Sequence, residues 1–155
     1  MIVRNAWKIQ KDVGRSRHGG EGAIENWHIF ESEDWQSNLT IIGFDILPPG
    51  TSIAVHKHIH EEKLYFVMEG TGLMTVNGEQ QRVVPGDAVP LNAGGSHGVL
   101  NDSDKPLMIM VIECKMTREA KLESEKLDPR LRGAAADVVA EFEKAQSPDS
   151  HVKRS

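Results

Sequence analysis

Three histidines, His56, His58 and His60, occupy alternate positions in the stretch from Gly50 to Gly70, GTSIAVHKHIHEEKLYFVMEG. Side chains two apart on an extended strand point to one face. His56 and His58 can therefore aim two imidazoles at one point, as a metal ion requires, and imidazole suits zinc, copper, iron and nickel. A strand-like run, KLYFVMEG, follows at once. Taken alone, the pattern fits a surface histidine cluster on a loop equally well.

A second stretch, GDAVPLNAGGSHGVLN from Gly86 to Asn101, adds a third imidazole, His97, in a Gly-rich turn far away in sequence. Together the two stretches resemble the paired motifs of the cupin superfamily. Gly50, His56, His58 and Gly70 fall where the first motif has them. Gly86, Gly94, His97 and Asn101 fall where the second does, and Asn92 stands where the family has proline. Either motif alone is weak; both in order, separated by a hairpin, cover roughly residues 40 to 114. The resemblance implies an all-β fold, a double-stranded β-helix or jelly roll, with His56, His58 and His97 meeting near one mouth of the barrel.

The chain departs from the family at one position. The family's first motif carries a glutamate that completes the metal site. Counting back from Gly70 lands on Lys63, and counting on from His58 lands on Glu62. Strand parity puts Lys63, Tyr65 and Val67 on one face and Leu64, Phe66 and Met68 on the other. Lys63 is thus expected to face the cavity. A one-residue bulge would turn Glu62 inward instead.

The remaining chain agrees with many short strands. LTIIGFDIL (39–47) is β-rich and stops at Pro48-Pro49-Gly50. Asn77-Gly78 suits a two-residue hairpin turn. Pro85-Gly86-Asp87 marks a second turn, and PLMIMVIEC (106–114) is a strongly apolar last strand. Short strands at close spacing point to a sandwich or barrel. Parity nominates Val55, Tyr65, Val67, Leu100 and Met108 or Ile109 as cavity-lining residues. The expected organisation is an N-terminal arm with the first strands (1–38), a barrel core (39–116), a helical extension (117–146) and a disordered tail (147–155). The extension rests on helix formers from Thr117, an Asp128-Pro129 helix start and Leu131, Ala135, Val138 and Phe142 at helical spacing. In the arm, His18 and Glu21 lie among Gly19, Gly20 and Gly22. They belong either to a solvated loop or to an arm folded over the barrel mouth of this or a neighbouring subunit.

A chain of 155 residues makes one domain with a proper core. A formal net charge of −5 argues against nucleic acid as the main partner. The single cysteine, Cys114, excludes an intrachain disulfide and fits a reducing cytosol. No long apolar run opens the chain, so neither a signal peptide nor a membrane span is expected. The location expected is cytoplasmic, and a homodimer is expected by resemblance, since cupin barrels often pair through their outer sheets.

Three neutral imidazoles with open positions can hold Fe(II), Zn(II), Ni(II), Mn(II) or Cu(II), which act as Lewis acids or acidify a bound water. The resemblance implies a small-molecule metalloenzyme, a dioxygenase, lyase, isomerase or cyclase. Some cupin-fold dioxygenases use three histidines without a carboxylate. Fewer anionic ligands leave more charge on the metal and favour small carboxylate or carbonyl substrates. Two alternatives stay open. In the first there is no metal, and Lys63, its pKa lowered by burial, acts as a base or forms an imine, with Tyr65 and Glu62 as further catalytic groups. Glu61 and His60 are also available at the mouth. The second alternative is a non-catalytic barrel that binds a small ligand.

Overall fold

The computed structural model describes residues 1–15 and 18–116. Ten strands follow in order: β1 (Asp12–Arg15), β2 (Ala23–Phe30), β3 (Leu39–Leu47), β4 (Ser52–Lys57), β5 (Glu61–Glu69), β6 (Gly72–Val76), β7 (Glu79–Val83), β8 (Ala88–Leu91), β9 (Ser96–Leu100) and β10 (Leu107–Lys115). They form two antiparallel sheets. One has the order β1-β2-β3-β10-β5-β8, the other β4-β9-β6-β7. This is the jelly roll, all-β as its turn signals predict. The expected helical extension and tail lie outside the described residues. Among the described residues no helix is long and apolar enough to cross a membrane.

The core lies between the sheets. β10 alternates strictly: Leu107, Ile109 and Val111 are buried while Met108, Met110 and Ile112 are half-buried, which is the period-2 pattern of a strand with one face in the core. Leu47, Val67 and Tyr65 reach the same core from β3 and β5, and Ile53, Met74 and Val99 from the smaller sheet. Two parity expectations need correction. Val55 is 57% exposed and Leu100 is 37% exposed, and Ile53 and Val99 take the inward places. The pairing of β4 with β9 slips between Ile53 and His56. That irregularity reverses inside and outside along β4, so Ile53 and His56 both turn in although they are an odd three positions apart.

The turns that shape the mouth are set locally. Asn77 (φ 50°) and Gly78 (φ 86°) both have positive φ, as a type I′ hairpin turn needs. The Asn77 Oδ1 also accepts a hydrogen bond from the Ser96 amide at 2.9 Å, which ties the β6–β7 hairpin to the start of β9. Gly70 has φ +78°, and a Cβ there would meet the Pro106 carbonyl oxygen at 2.2 Å; only glycine fits. Asn101 is fully buried. Its amide donates to the carbonyls of Leu47 and Lys105, each at 2.7 Å, and its Oδ1 accepts from Ser103. It is a structural knot at the end of β9.

Candidate metal centre

His56 and His97 face each other across β4 and β9 as direct register partners. His58 lies just past the end of β4, where the chain crosses from the smaller sheet to the larger. The Gly94 amide donates to the His58 carbonyl at 2.7 Å, so the Gly-rich loop before β9 holds that crossing. The ring centroids of His97 lie 4.4 Å from His56 and 5.1 Å from His58, and those of His56 and His58 lie 4.6 Å apart. The three sequence-predicted imidazoles meet. Tyr65, wholly buried on β5, sets its ring edge to face 5.9 Å from His97.

The ring nitrogens are oriented by their outer partners. His56 Nδ1 lies 2.8 Å from the Ala54 carbonyl, and His58 Nδ1 pairs with Glu61 Oε1. A carbonyl and a carboxylate can only accept, so both Nδ1 atoms carry the hydrogen. In the neutral rings both Nε2 atoms are then bare lone pairs, and they face each other at 2.7 Å. Two acceptors at that separation repel unless a proton or a metal cation lies between them. Nitrogens on one zinc-like ion, with bonds of about 2.0–2.1 Å, are separated by roughly 3 Å. His97 Nε2 is buried and has no hydrogen-bond partner among the described residues. Burial lowers the pKa of His56, and the positive Lys63 adds to this. Burial first, then neighbouring Lys63 and His56, lowers His58 to about 3, and burial with His56 and Lys63 lowers His97 to about 3. At neutral pH all three are unprotonated, which is the form that binds metal. The donor set, the orientation and the orphaned nitrogen all fit a divalent ion.

One histidine comes from outside the motifs. His18 stacks on His56, with centroids 3.5 Å apart and planes 9° from parallel, and sits edge-on to His58 at 5.5 Å. The donor atoms of His18, His56 and His58 all lie within 4.8 Å of one another, and His97 does not join that group. Of the two readings of the glycine-rich segment, the arm over the barrel mouth of the same subunit is the one observed. Glycine spacing alone carried no direction for that segment. Its anchoring to Ser52, through Glu21 N to Ser52 Oγ at 2.9 Å and Ser52 N to Glu21 O at 3.0 Å, is a tertiary fact.

Residues 43–113 match the cupin domain family. The chain belongs to the cupin superfamily. It is 28% identical over 112 residues to the oxalate-binding protein of Thermotoga maritima, covering 72% of this chain and 92% of that one. It is 33% identical over 114 residues to the 5-nitrosalicylic acid 1,2-dioxygenase of a Bradyrhizobium species, and spans only 55% of that enzyme's length. Among solved structures, a predicted oxalate decarboxylase from Thermotoga maritima superposes with a TM-score of 0.71 at 25% identity, over 74% of this chain and 99% of that one.

Of the two residues that the motif count allows, Lys63 points inward. Glu62 is exposed on the opposite face and does not join the histidines; neither does His60, which is also exposed. Glu61 is the carboxylate that turns in, two residues before Lys63 on the same side of β5. Lys63 is paired with Glu113 across β5 and β10, and Glu61 with Lys115. Lys63 Nζ lies 3.0 Å from Glu113 and 3.5 Å from Glu61; Lys115 Nζ contacts Glu61 and lies 3.1 Å from Glu113. Thr40 Oγ1 on β3 donates to Glu113 at 2.8 Å. Two cations and two anions alternate in a buried square, one corner of which, Glu61, orients His58. The expected fall in the Lys63 pKa does not occur. Burial works against the ammonium, but Glu113, with Tyr65 and Asp45 behind it, more than offsets that, and the pKa rises above the ordinary lysine value. Burial also raises the Tyr65 phenol, which stays protonated. A separate cavity of about 460 Å³ between the edges of β7 and β8 shares no lining residue with the histidines.

Proposed function

We propose that this cupin is a small-molecule metalloenzyme whose divalent ion is held by His56, His58 and His97 and whose substrate is a small carboxylate or carbonyl compound. The observation that carries the reading is the pair of Nε2 lone pairs held 2.7 Å apart beside the buried His97 Nε2, which has no hydrogen-bond partner among the described residues. When bound, such an ion supplies a Lewis acid with open positions for a substrate oxygen. Glu61 keeps His58 in the tautomer that presents Nε2, as carboxylates behind metal-bound histidines do. Tyr65, kept protonated, can donate a hydrogen bond to an anionic oxygen over His97. Lys63 keeps a positive charge in the wall beneath the rings, cancelled by Glu113. The imidazoles themselves bring no negative charge to the site, which favours a negatively charged ligand. The names of two relatives, oxalate-binding protein and 5-nitrosalicylic acid 1,2-dioxygenase, agree with a carboxylate. The reaction class stays open, because one fold hosts many chemistries.

The deciding experiment is elemental analysis of protein purified without chelator, followed by a screen of aliphatic dicarboxylates and hydroxybenzoates for oxygen uptake and carbon dioxide release. About one ion per chain, lost in His56→Ala, is the expected result. A chain that takes up no ion and turns over a carbonyl compound would instead favour metal-free catalysis. The ammonium state of Lys63 speaks against imine formation there, and Lys63→Met would then abolish turnover. The second reading is a non-catalytic carboxylate binder, favoured by the name of the Thermotoga relative; its mark is a ligand retained unchanged.

A homodimer is part of the proposal. The outer side of the larger sheet carries Phe44 and Ile46 on β3, Leu64 and Phe66 on β5, and Met108 and Met110 on β10, all half-buried among the described residues. Trp7 stacks on Phe44 at 6.4 Å. A second copy laid against this face would cover it.

A further inference from the structure

We propose that His18, carried on the N-terminal arm, is a direct metal ligand, and that the arm thereby completes the centre that Lys63 leaves without its motif carboxylate. The inference rests on the metal reading above. The position that should bring a first-motif carboxylate brings an ammonium, fixed as a cation by Glu113 and turned into the square of charges. The substitute carboxylate, Glu61, is spent on His58 Nδ1 and on two lysines, so it acts through His58 and not at the ion. A first-row ion on three imidazoles has room for a further ligand. The donor atom that comes into that space is on His18, whose nitrogen lies within 4.8 Å of those of His56 and His58; its ring is stacked on that of His56 and has to tilt out of the stack for both lone pairs to meet one ion.

The arm is held where the ligand needs to be. Glu21 and Ser52 exchange two hydrogen bonds. Gly22 has φ +72° and runs so close to Thr51 that a Cβ would meet its methyl at 2.7 Å. That contact sets the arm against the start of β4, the strand that carries His56. The ligands already gathered are His18, His56 and His58; His97 stands outside that group and completes a set of four neutral imidazoles only when its ring closes on the ion. A set without a carboxylate disfavours Mn(II) and suits Zn(II), Cu(II), Ni(II) and Co(II). It also leaves the full double charge of the ion facing the ligand.

The test uses the full chain, stripped with chelator and reloaded with Co(II), whose visible absorption reports coordination number, and with Zn(II) in competition with a chromophoric chelator. His18→Ala should weaken Zn(II) by about tenfold or more, as loss of a supporting or direct ligand does, and should change the Co(II) spectrum. Added imidazole should restore the wild-type spectrum. His28→Ala, a histidine paired with Glu31 outside the site, should do neither. Nitrogen-15 shifts of the histidine rings give a second readout, and the His18 ring should move on Zn(II) addition. If wild type binds one ion, and His18→Ala leaves affinity, spectrum and ring shifts unchanged while His56→Ala loses the ion, then His18 is not a ligand and the three-histidine centre stands. If wild type takes up neither ion, the metal reading falls and this inference with it.

Discussion

At the scale of single residues, the chemistry follows from which nitrogen of each imidazole carries its hydrogen. Ala54 and Glu61 hold Nδ1 of His56 and His58 protonated, and the Nε2 atoms are left as donors for the proposed centre. Glu61→Gln keeps the shape and removes the charge. We expect a loss of metal affinity of about tenfold or more, read by chelator competition; unchanged affinity would show that the carboxylate has no part in setting His58. Lys63 makes a different prediction. Removing one member of a buried ion pair costs about 3–5 kcal/mol, whereas replacing both by apolar groups is often near neutral. Lys63→Met should therefore lower the urea midpoint strongly, and Lys63→Met with Glu113→Leu should recover most of it, since Glu61 and Lys115 keep each other. Equal stability of the single and double variants would refute the square. These residues also show how far the motif could be read. His56 and His58 were legible from spacing and parity, and His97 from the resemblance to the second family motif. Lys63 facing inward was legible from parity alone. The carboxylate at position 61 had the right parity too, but its role depends on Lys115, which is 54 residues away and appears in no motif.

At the scale of strands and turns, local chemistry sets the frame and irregularities aim the side chains. The Asn77-Gly78 turn and the Pro48-Pro49-Gly50 stop were readable because only a few residue types adopt those backbone conformations. The slip between Ile53 and His56 was not, because a bulge shows only in the pairing of two strands. Val55 and Leu100 were misplaced for the same reason: one residue of error in phase moves a side chain to the opposite face. Gly70→Ala tests the frame at its tightest point. The left-handed backbone costs about 1–2 kcal/mol for an L-residue, and the collision with Pro106 adds to it. We expect a clear drop in the thermal midpoint, measured by circular dichroism, where Gly14→Ala, with nothing within 4 Å of the added carbon, should change little.

At the scale of the whole molecule, acid stability is set by what the barrel buries. His58 and His97 sit at about 3 in the fold against about 6.5 in an unfolded chain. Between those values the unfolded chain binds protons that the folded one refuses, so stability rises with pH there and is lost as pH falls. Above about pH 6.5 both states are neutral and the rings contribute no slope. The limiting slope is about 1.4 kcal/mol per pH unit for each ring. In metal-free protein the urea midpoint should fall from pH 7 to pH 5, and His97→Asn should make that fall shallower; an unchanged pH profile would mean that His97 is not held neutral by burial. The outer apolar face gives a second test. For the proposed dimer, wild type should scatter as two chains and Phe66→Glu as one in light scattering at fixed concentration, without loss of the β-sheet signal; a monomeric wild type would refute the dimer.

The sequence by itself determined the class of fold, the turns and the three barrel histidines, because hydrophobic alternation, turn-forming residues and motif spacing are all local and each is tied to a backbone geometry. Only the tertiary structure decided the partners. The slip in β4, the square of Glu61, Lys63, Glu113 and Lys115, and the placing of His18 over His56 join residues from distant parts of the chain, and their free energies depend on distance and burial that exist only once the two sheets have closed.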